Sequence, residues 1–86
     1  METRKLAALL KVIECGNITK ASEELGYTQS GLSHLIKSLE KELGFSVLLR
    51  SKVGVEPTED CQKLLPFLKK TVHWSNEMDE MATSIR

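Results

Sequence analysis

Four stretches of this chain place apolar side chains at steps of three and four, and two short apolar runs flank a glycine-centred turn before the fourth. In the first stretch, about Thr3 to Cys15, the buried stripe is Leu6, Leu9, Leu10 and Ile13. The second is short, about Thr19 to Leu25, and offers only Ala21 and Leu25 inward. The third carries Leu32, Leu35, Ile36, Leu39 and Leu43 on one side, which leaves Gln29, Ser30, Ser33, His34 and Lys37 on the other. Thr19 and Thr28 stand where N-caps belong, and Gly26 and Gly44 where helices end. Val47-Leu48-Leu49 and Val55-Glu56 are strand candidates around Ser51-Lys52-Val53-Gly54, with Pro57 closing the hairpin.

The fourth helix is expected to start after Thr58, with Glu59 and Asp60 suited to the positive end of its dipole. It carries two stripes. Leu65, Leu68 and Val72 can pack back on the preceding helices. Leu64, Phe67, Thr71, Trp74, Met78, Met81 and Ile85 keep a strict three-four alternation, the spacing of a helix-helix seam. Pro66 removes one amide donor and predicts a bend near Gln62. So small a body offers little to cover a stripe three heptads long, and a partner helix is expected in preference to a fold-back.

The fold class that follows is mainly α. A winged helix-turn-helix of three helices and a short β-hairpin occupies residues 1–57, and a long linker or dimerisation helix occupies 58–86. The small Ala21 allows the close crossing that a helix-turn-helix needs. A second helix that opens on the uncharged polar cluster Thr28-Gln29-Ser30 is laid out as a reader of a DNA groove.

Gly16, Asn17, Ile18, Thr19, Ala21, Leu25, Thr28, Gln29, Leu32, Ser33, Ile36, Leu39, Glu40, Leu43, Gly44, Leu48, Arg50, Gly54, Val55 and Thr58 fall in one ungapped register. In that register the chain closely resembles the N-terminal domain of LysR-type bacterial transcription regulators. The resemblance implies sequence-specific binding of double-stranded DNA by a homodimer, paired antiparallel through the last helix, on a pseudo-palindromic site. It implies base reading by Gln29, Ser33 and His34, with Ser30 beside them, and phosphate contacts by Thr28, Lys37, Arg50 and Lys52. Thr19 or Lys20, at the start of the preceding helix, is a further backbone candidate. In this family a small-molecule inducer is bound by a larger C-terminal domain, which these residues do not include. The chain is therefore expected to be an isolated DNA-binding fragment, with a natural stand-alone relative as the alternative.

The chain departs from the family pattern in three places: the reading helix, the wing and the start of the last helix. Ser30 and His34 stand where the family usually has proline and often arginine, and a neutral imidazole lacks the guanidinium fork that grips guanine. Val53 replaces a common wing arginine, leaving Lys52 as the nearby cation for a minor groove. Asp60-Cys61 replaces a usual Ala-Gly pair, with no functional consequence expected.

Charge complicates the reading. The chain has 12 basic and 12 acidic side chains, whereas nucleic-acid modules are often basic. Phosphates feel charges within about 8 Å at physiological salt, so placement outweighs the sum. Glu14, Glu23, Glu24, Glu40 and Glu42 can all lie away from the reading face. A neutral winged helix could also serve purely for protein-protein assembly. Steep weakening by salt separates DNA binding from that alternative.

No enzyme is expected. Ser33 and His34 are adjacent and diverge by about 100° on a helix, so they cannot form a nucleophile-base pair. Neither a cofactor nor a metal site is expected, since Cys15 and Cys61 stand far apart without Cys-x-x-Cys spacing and read as free thiols. His73 reads as surface. No run is apolar enough to span a bilayer and no signal-peptide pattern is visible, so no membrane association and a cytoplasmic location are expected.

Overall fold

The computed structural model describes residues 2–86. The elements in chain order are α1 (Thr3–Cys15), α2 (Ile18–Leu25), α3 (Gln29–Leu43), β1 (Leu48–Ser51), β2 (Gly54–Pro57) and α4 (Glu59–Ile85). The core is built on α3, where Leu32, Ile36 and Leu39 are shut away from solvent together with Ala8, Leu9 and Val12 of α1. Ala21 of α2 is fully buried, as the close crossing requires, and Cys61 and Leu68 of α4 complete the core from the far side. Burying such Leu and Ile side chains stabilises by about 1.5–3 kcal/mol each.

Helix ends follow local chemistry. Gly26 and Gly44 terminate α2 and α3 in the left-handed region at φ 77° and 88°, which disfavours a side chain. Thr28 caps α3 by accepting the Gly31 amide at 3.0 Å. The cap of α2 differs from expectation: Asn17, not Thr19, holds the extended conformation and accepts the Lys20 amide at 2.9 Å. Asparagine caps at least as well as threonine, and with Ile18 already helical Thr19 falls inside the first turn. The inward face of α2 is also wider than Ala21 and Leu25. Ser22 is buried too, and its hydroxyl donates to the Thr19 carbonyl at 2.8 Å.

The antiparallel hairpin pairs Leu48 with Pro57, Leu49 with Glu56, Arg50 with Val55 and Ser51 with Gly54. It is offset from the expected one. Val47 stays outside β1 because its groups are used elsewhere, and Pro57 is paired within β2, tolerated where a strand end needs no donor. The Val47 amide donates to Glu40 Oε2 at 2.7 Å, and its carbonyl accepts the Thr58 amide at 3.0 Å. Thr58 also donates its hydroxyl to the Ser46 carbonyl at 2.7 Å while accepting the Cys61 amide at 3.1 Å as the cap of α4. One threonine thus joins the root of the hairpin to the start of the last helix. Helix α4 continues unbroken through Pro66, whose missing amide falls beside an exposed turn at Gln62.

Glu40 ties α3 to the segment that leads into the hairpin. Glu40→Ala strands the Val47 amide in a part-buried position and should lower unfolding stability by about 1.5–3 kcal/mol, the range for a hydrogen bond to a charged group. Urea denaturation followed by circular dichroism measures it; an unchanged midpoint would remove the bond from the account.

Candidate nucleic-acid interface

Burial of one stripe of α3 leaves its other side bare. Gln29, Ser30, His34 and Lys37 are exposed on it and Ser33 is half-buried. Gln29 is the first residue of α3, at the helix end where unpaired amides and the dipole favour negative charge, and no acidic side chain occupies that first turn. The Thr28 hydroxyl oxygen is engaged with the Gly31 amide and lies 3.5 Å from Ser30 Oγ. Thr19 and Lys20 are exposed on the first turn of α2, another helix start without an acidic residue. Arg50 and Lys52 are exposed on the hairpin, and Val53 beside them is 93% exposed.

The neutral total resolves into an uneven surface. Glu40 faces the Val47 amide, Glu42 meets Lys5 Nζ at 3.3 Å, and Glu24 accepts the Cys15 thiol at 2.9 Å. Among the described residues the ion pairs are Arg4–Glu2 and Lys5–Glu42, so Lys20, Lys37, Lys41, Arg50 and Lys52 have no carboxylate partner. Lys41 was not a candidate on sequence. It lines one shallow groove with His34, Lys37 and Ser38, and the signal for it was its position four residues after Lys37. Asn17 was also missed, because a polar residue before Ile18 competes with Thr19 for the same role.

The α4 seam divides into two environments. Leu64 is half-buried and lines an apolar cavity of about 130 Å³ with Leu6, Leu43, Phe67, Leu68 and Thr71. Phe67, Thr71, Trp74, Met78, Met81 and Ile85 are exposed, with Trp74 at 67%. Leu65, Leu68 and Val72 are the stripe that packs on the body. His73 meets Trp74 edge-on, with ring centroids 5.1 Å apart. Both thiols are free, and no group of His, Cys, Asp and Glu among the described residues is arranged to hold a metal ion. None of the described helices is long and apolar enough to cross a membrane.

Residues 3–62 match the family described as "Bacterial regulatory helix-turn-helix protein, lysR family". The chain belongs to the LysR family. This LysR-family chain is 33% identical over 84 residues to the nitrogen assimilation regulatory protein nac of Klebsiella aerogenes, covering 98% of the chain and 27% of that relative. It is 32% identical over 81 residues to the HTH-type transcriptional regulator CzcR of Bacillus cereus, covering 94% of the chain and 28% of CzcR. The chain thus spans little more than a quarter of the length of these relatives. Among solved structures, the CbnR_DBD-DNA complex superposes with a TM-score of 0.85 at 28% identity, covering the whole of both chains. The BenM_DBD/catB site 1 DNA complex gives 0.87 at 32% identity over 99% of this chain and 91% of that one. The fold is therefore the winged helix-turn-helix of LysR DNA-binding domains, mainly helical with one antiparallel hairpin.

One contact of this LysR-family chain sets a reactivity. The hydrogen bond to Glu24, together with desolvation and the carboxylate charge, raises the Cys15 thiol above its ordinary value, and the same bond lowers Glu24. At pH 8, iodoacetamide should alkylate Cys15 more slowly than an unstructured cysteine, because less thiolate is present. Glu24→Gln removes the charge and should speed the reaction; equal rates in both proteins, by mass spectrometry, would deny the contact that role.

Proposed function

We propose that this chain is the DNA-binding part of a LysR-type bacterial transcription regulator and reads double-stranded DNA in sequence-specific fashion through the major groove. The observation that carries the reading is the bare, acid-free opening of α3 at Gln29 and Ser30, with cations free of ion pairs further along α3, on α2 and on the hairpin. Gln29, Ser30, Ser33 and His34 face base edges in this reading. A glutamine can meet adenine through two hydrogen bonds, and a serine suits several edges. Thr19, Lys20, Thr28, Lys37, Arg50 and Lys52 hold phosphates, which set register and supply affinity. The DNA complexes of the CbnR and BenM domains, similar to this chain over nearly its whole length, support the assignment.

Residues 1–57 act as the reading body and 58–86 as the linker that joins two copies. Phe67, Trp74, Met78, Met81 and Ile85 leave a continuous apolar stripe bare on α4, and Leu64 and Thr71 extend its seam. A two-fold pair through that stripe presents the same face from both copies, as an isologous contact requires. Two reading helices then enter successive major grooves, with half-sites about 34 Å apart or a multiple of it. An inducer would engage a further C-terminal domain and not these residues.

Binding by this route must weaken steeply with salt, with log K falling by about 0.9 per phosphate neutralised for each unit of log salt. Gln29→Ala should lose about 1–3 kcal/mol of discrimination at one base pair, whereas Arg50→Ala should weaken operator and random DNA alike and flatten the salt slope. Titrations against sequences selected from a random pool separate the two. Uniform loss in both variants would take base reading away from Gln29, and salt-insensitive binding would favour an assembly module.

The pairing surface has its own test. Trp74→Ala with Met78→Ala should shift the chain towards monomer in analytical ultracentrifugation. Truncating an interface aromatic of this kind costs on the order of 2 kcal/mol or more. The variant should lose affinity for a two-half-site operator far more than for a single half-site, because the linked second contact is gone. An unmodified chain that stays monomeric at high micromolar concentration would refute pairing through this face.

A further inference from the structure

The turn between α1 and α2 also carries the hairpin. Gly16 ends α1 at φ 66°, and its carbonyl accepts the Val55 amide at 3.0 Å. Next to Val55, Gly54 is held at φ 139°, a conformation open to glycine, and passes so close that a Cβ there would overlap the Gly16 carbonyl oxygen. The residue after Gly16 is Asn17, the cap of α2. Two adjacent residues therefore fix both the entry of the helix-turn-helix and the approach of the wing.

The wing's cations ride on this contact. Gly54 pairs with Ser51, Val55 pairs with Arg50, and Lys52 lies in the turn between the strands. Below them the hairpin root is fastened separately, by Val47 to Glu40 and by Thr58 to Ser46 and Val47. A side chain at Gly54 would therefore press the outer part of the hairpin away from the Gly16 carbonyl while the root contacts stay in place.

We infer that Gly54 is a positioning residue for DNA binding: its contact with the Gly16 carbonyl sets where the wing's Arg50 and Lys52 stand relative to the reading helix. The inference rests on the DNA-binding reading above. Gly54 has no side chain to contribute to the DNA contact itself. What it governs is whether wing and reading helix engage one duplex together, so backbone affinity in the bound complex depends on it while discrimination at Gln29 does not.

The test uses the whole 86-residue chain and a duplex taken from a random-pool selection. If the unmodified chain selects no sequence and shows no salt dependence, the DNA reading itself has failed. Given that it binds, Gly54→Ala should flatten the salt slope by up to about 1.8, two phosphates at about 0.9 each, and shorten the protected flanks in hydroxyl-radical footprints. Its preference for the matched over the mismatched base pair at the Gln29 step should stay within about twofold of the parent. Arg50→Ala and Lys52→Ala added to Gly54→Ala should cost little further affinity, whereas effects that add in full would mean that Gly54 acts on stability alone. A parental slope and footprint in Gly54→Ala would overturn the inference, as would equal loss of base preference. Should that variant fail to fold by circular dichroism, a backbone ester at the Val55 nitrogen removes the donor to Gly16, and an ester at Lys52, which leaves both the Val55 amide and the Gly54 carbonyl intact, serves as its control. The Val55 ester should give the same pattern in smaller measure, and a parental slope there would overturn the inference equally.

Discussion

Everything in this molecule depends on α3 being gripped from one side only. Leu32, Ile36 and Leu39 are closed off by α1, α2 and the neighbouring core, and that burial must hold a helix whose opposite side makes almost no contact with its own protein. The short α2 is shaped by the same demand. Ala21 permits close approach, and Ser22 turns its hydroxyl onto its own helix so that nothing polar is left unsatisfied in the crossing. A helix held this way is a rigid presenting rod, since movement of the bare face would require the buried stripe to repack.

The second constraint is electrostatic, and it is met by direction, not by amount. Equal numbers of acids and bases would make a featureless surface if they alternated. Here the acids of α3 are employed structurally, Glu40 at the hairpin approach and Glu42 against α1. Their engagement there leaves the lysines on the exposed face of the same helix to set the local potential. Exposed contacts such as Lys5 with Glu42 contribute little stability, so their main effect is on where the field points.

Much of this was legible in the sequence where periodicity is strong. The stripe of α3, the Thr28 cap, the glycine stops at Gly26 and Gly44 and the divided faces of α4 all follow from spacing and local propensity. What spacing could not reveal was set by contacts distant in the chain. Val47 looks like a strand residue until Glu40 takes its amide, and Pro57 looks like a stop until its pairing with Leu48 is seen. Asn17 and Thr19 are both competent caps, and choosing between them needs the dihedral at which Ile18 enters the helix. The meeting of Gly16 with Gly54 had no local signal, because each glycine is accounted for by its own turn. Of the candidate interface, the exposed residues of α3 were readable from the helical period, whereas the lack of an ion pair at Lys41 depended on where Glu40 and Glu42 turn.

Thr58 has a mechanical meaning that reaches well past its hydrogen bonds. Its hydroxyl and amide lock the first turn of α4 to Ser46 and Val47, so the heading of that helix is decided at one point next to the wing. From there α4 runs 27 residues, about 40 Å at 1.5 Å per residue. Over such a lever, a swing of about 5° at the root carries the far end about 3.5 Å, roughly the rise of one base pair along DNA. In the proposed pair joined along α4, this joint would therefore cut the gauge between the two winged-helix bodies, far from the exposed face of α3.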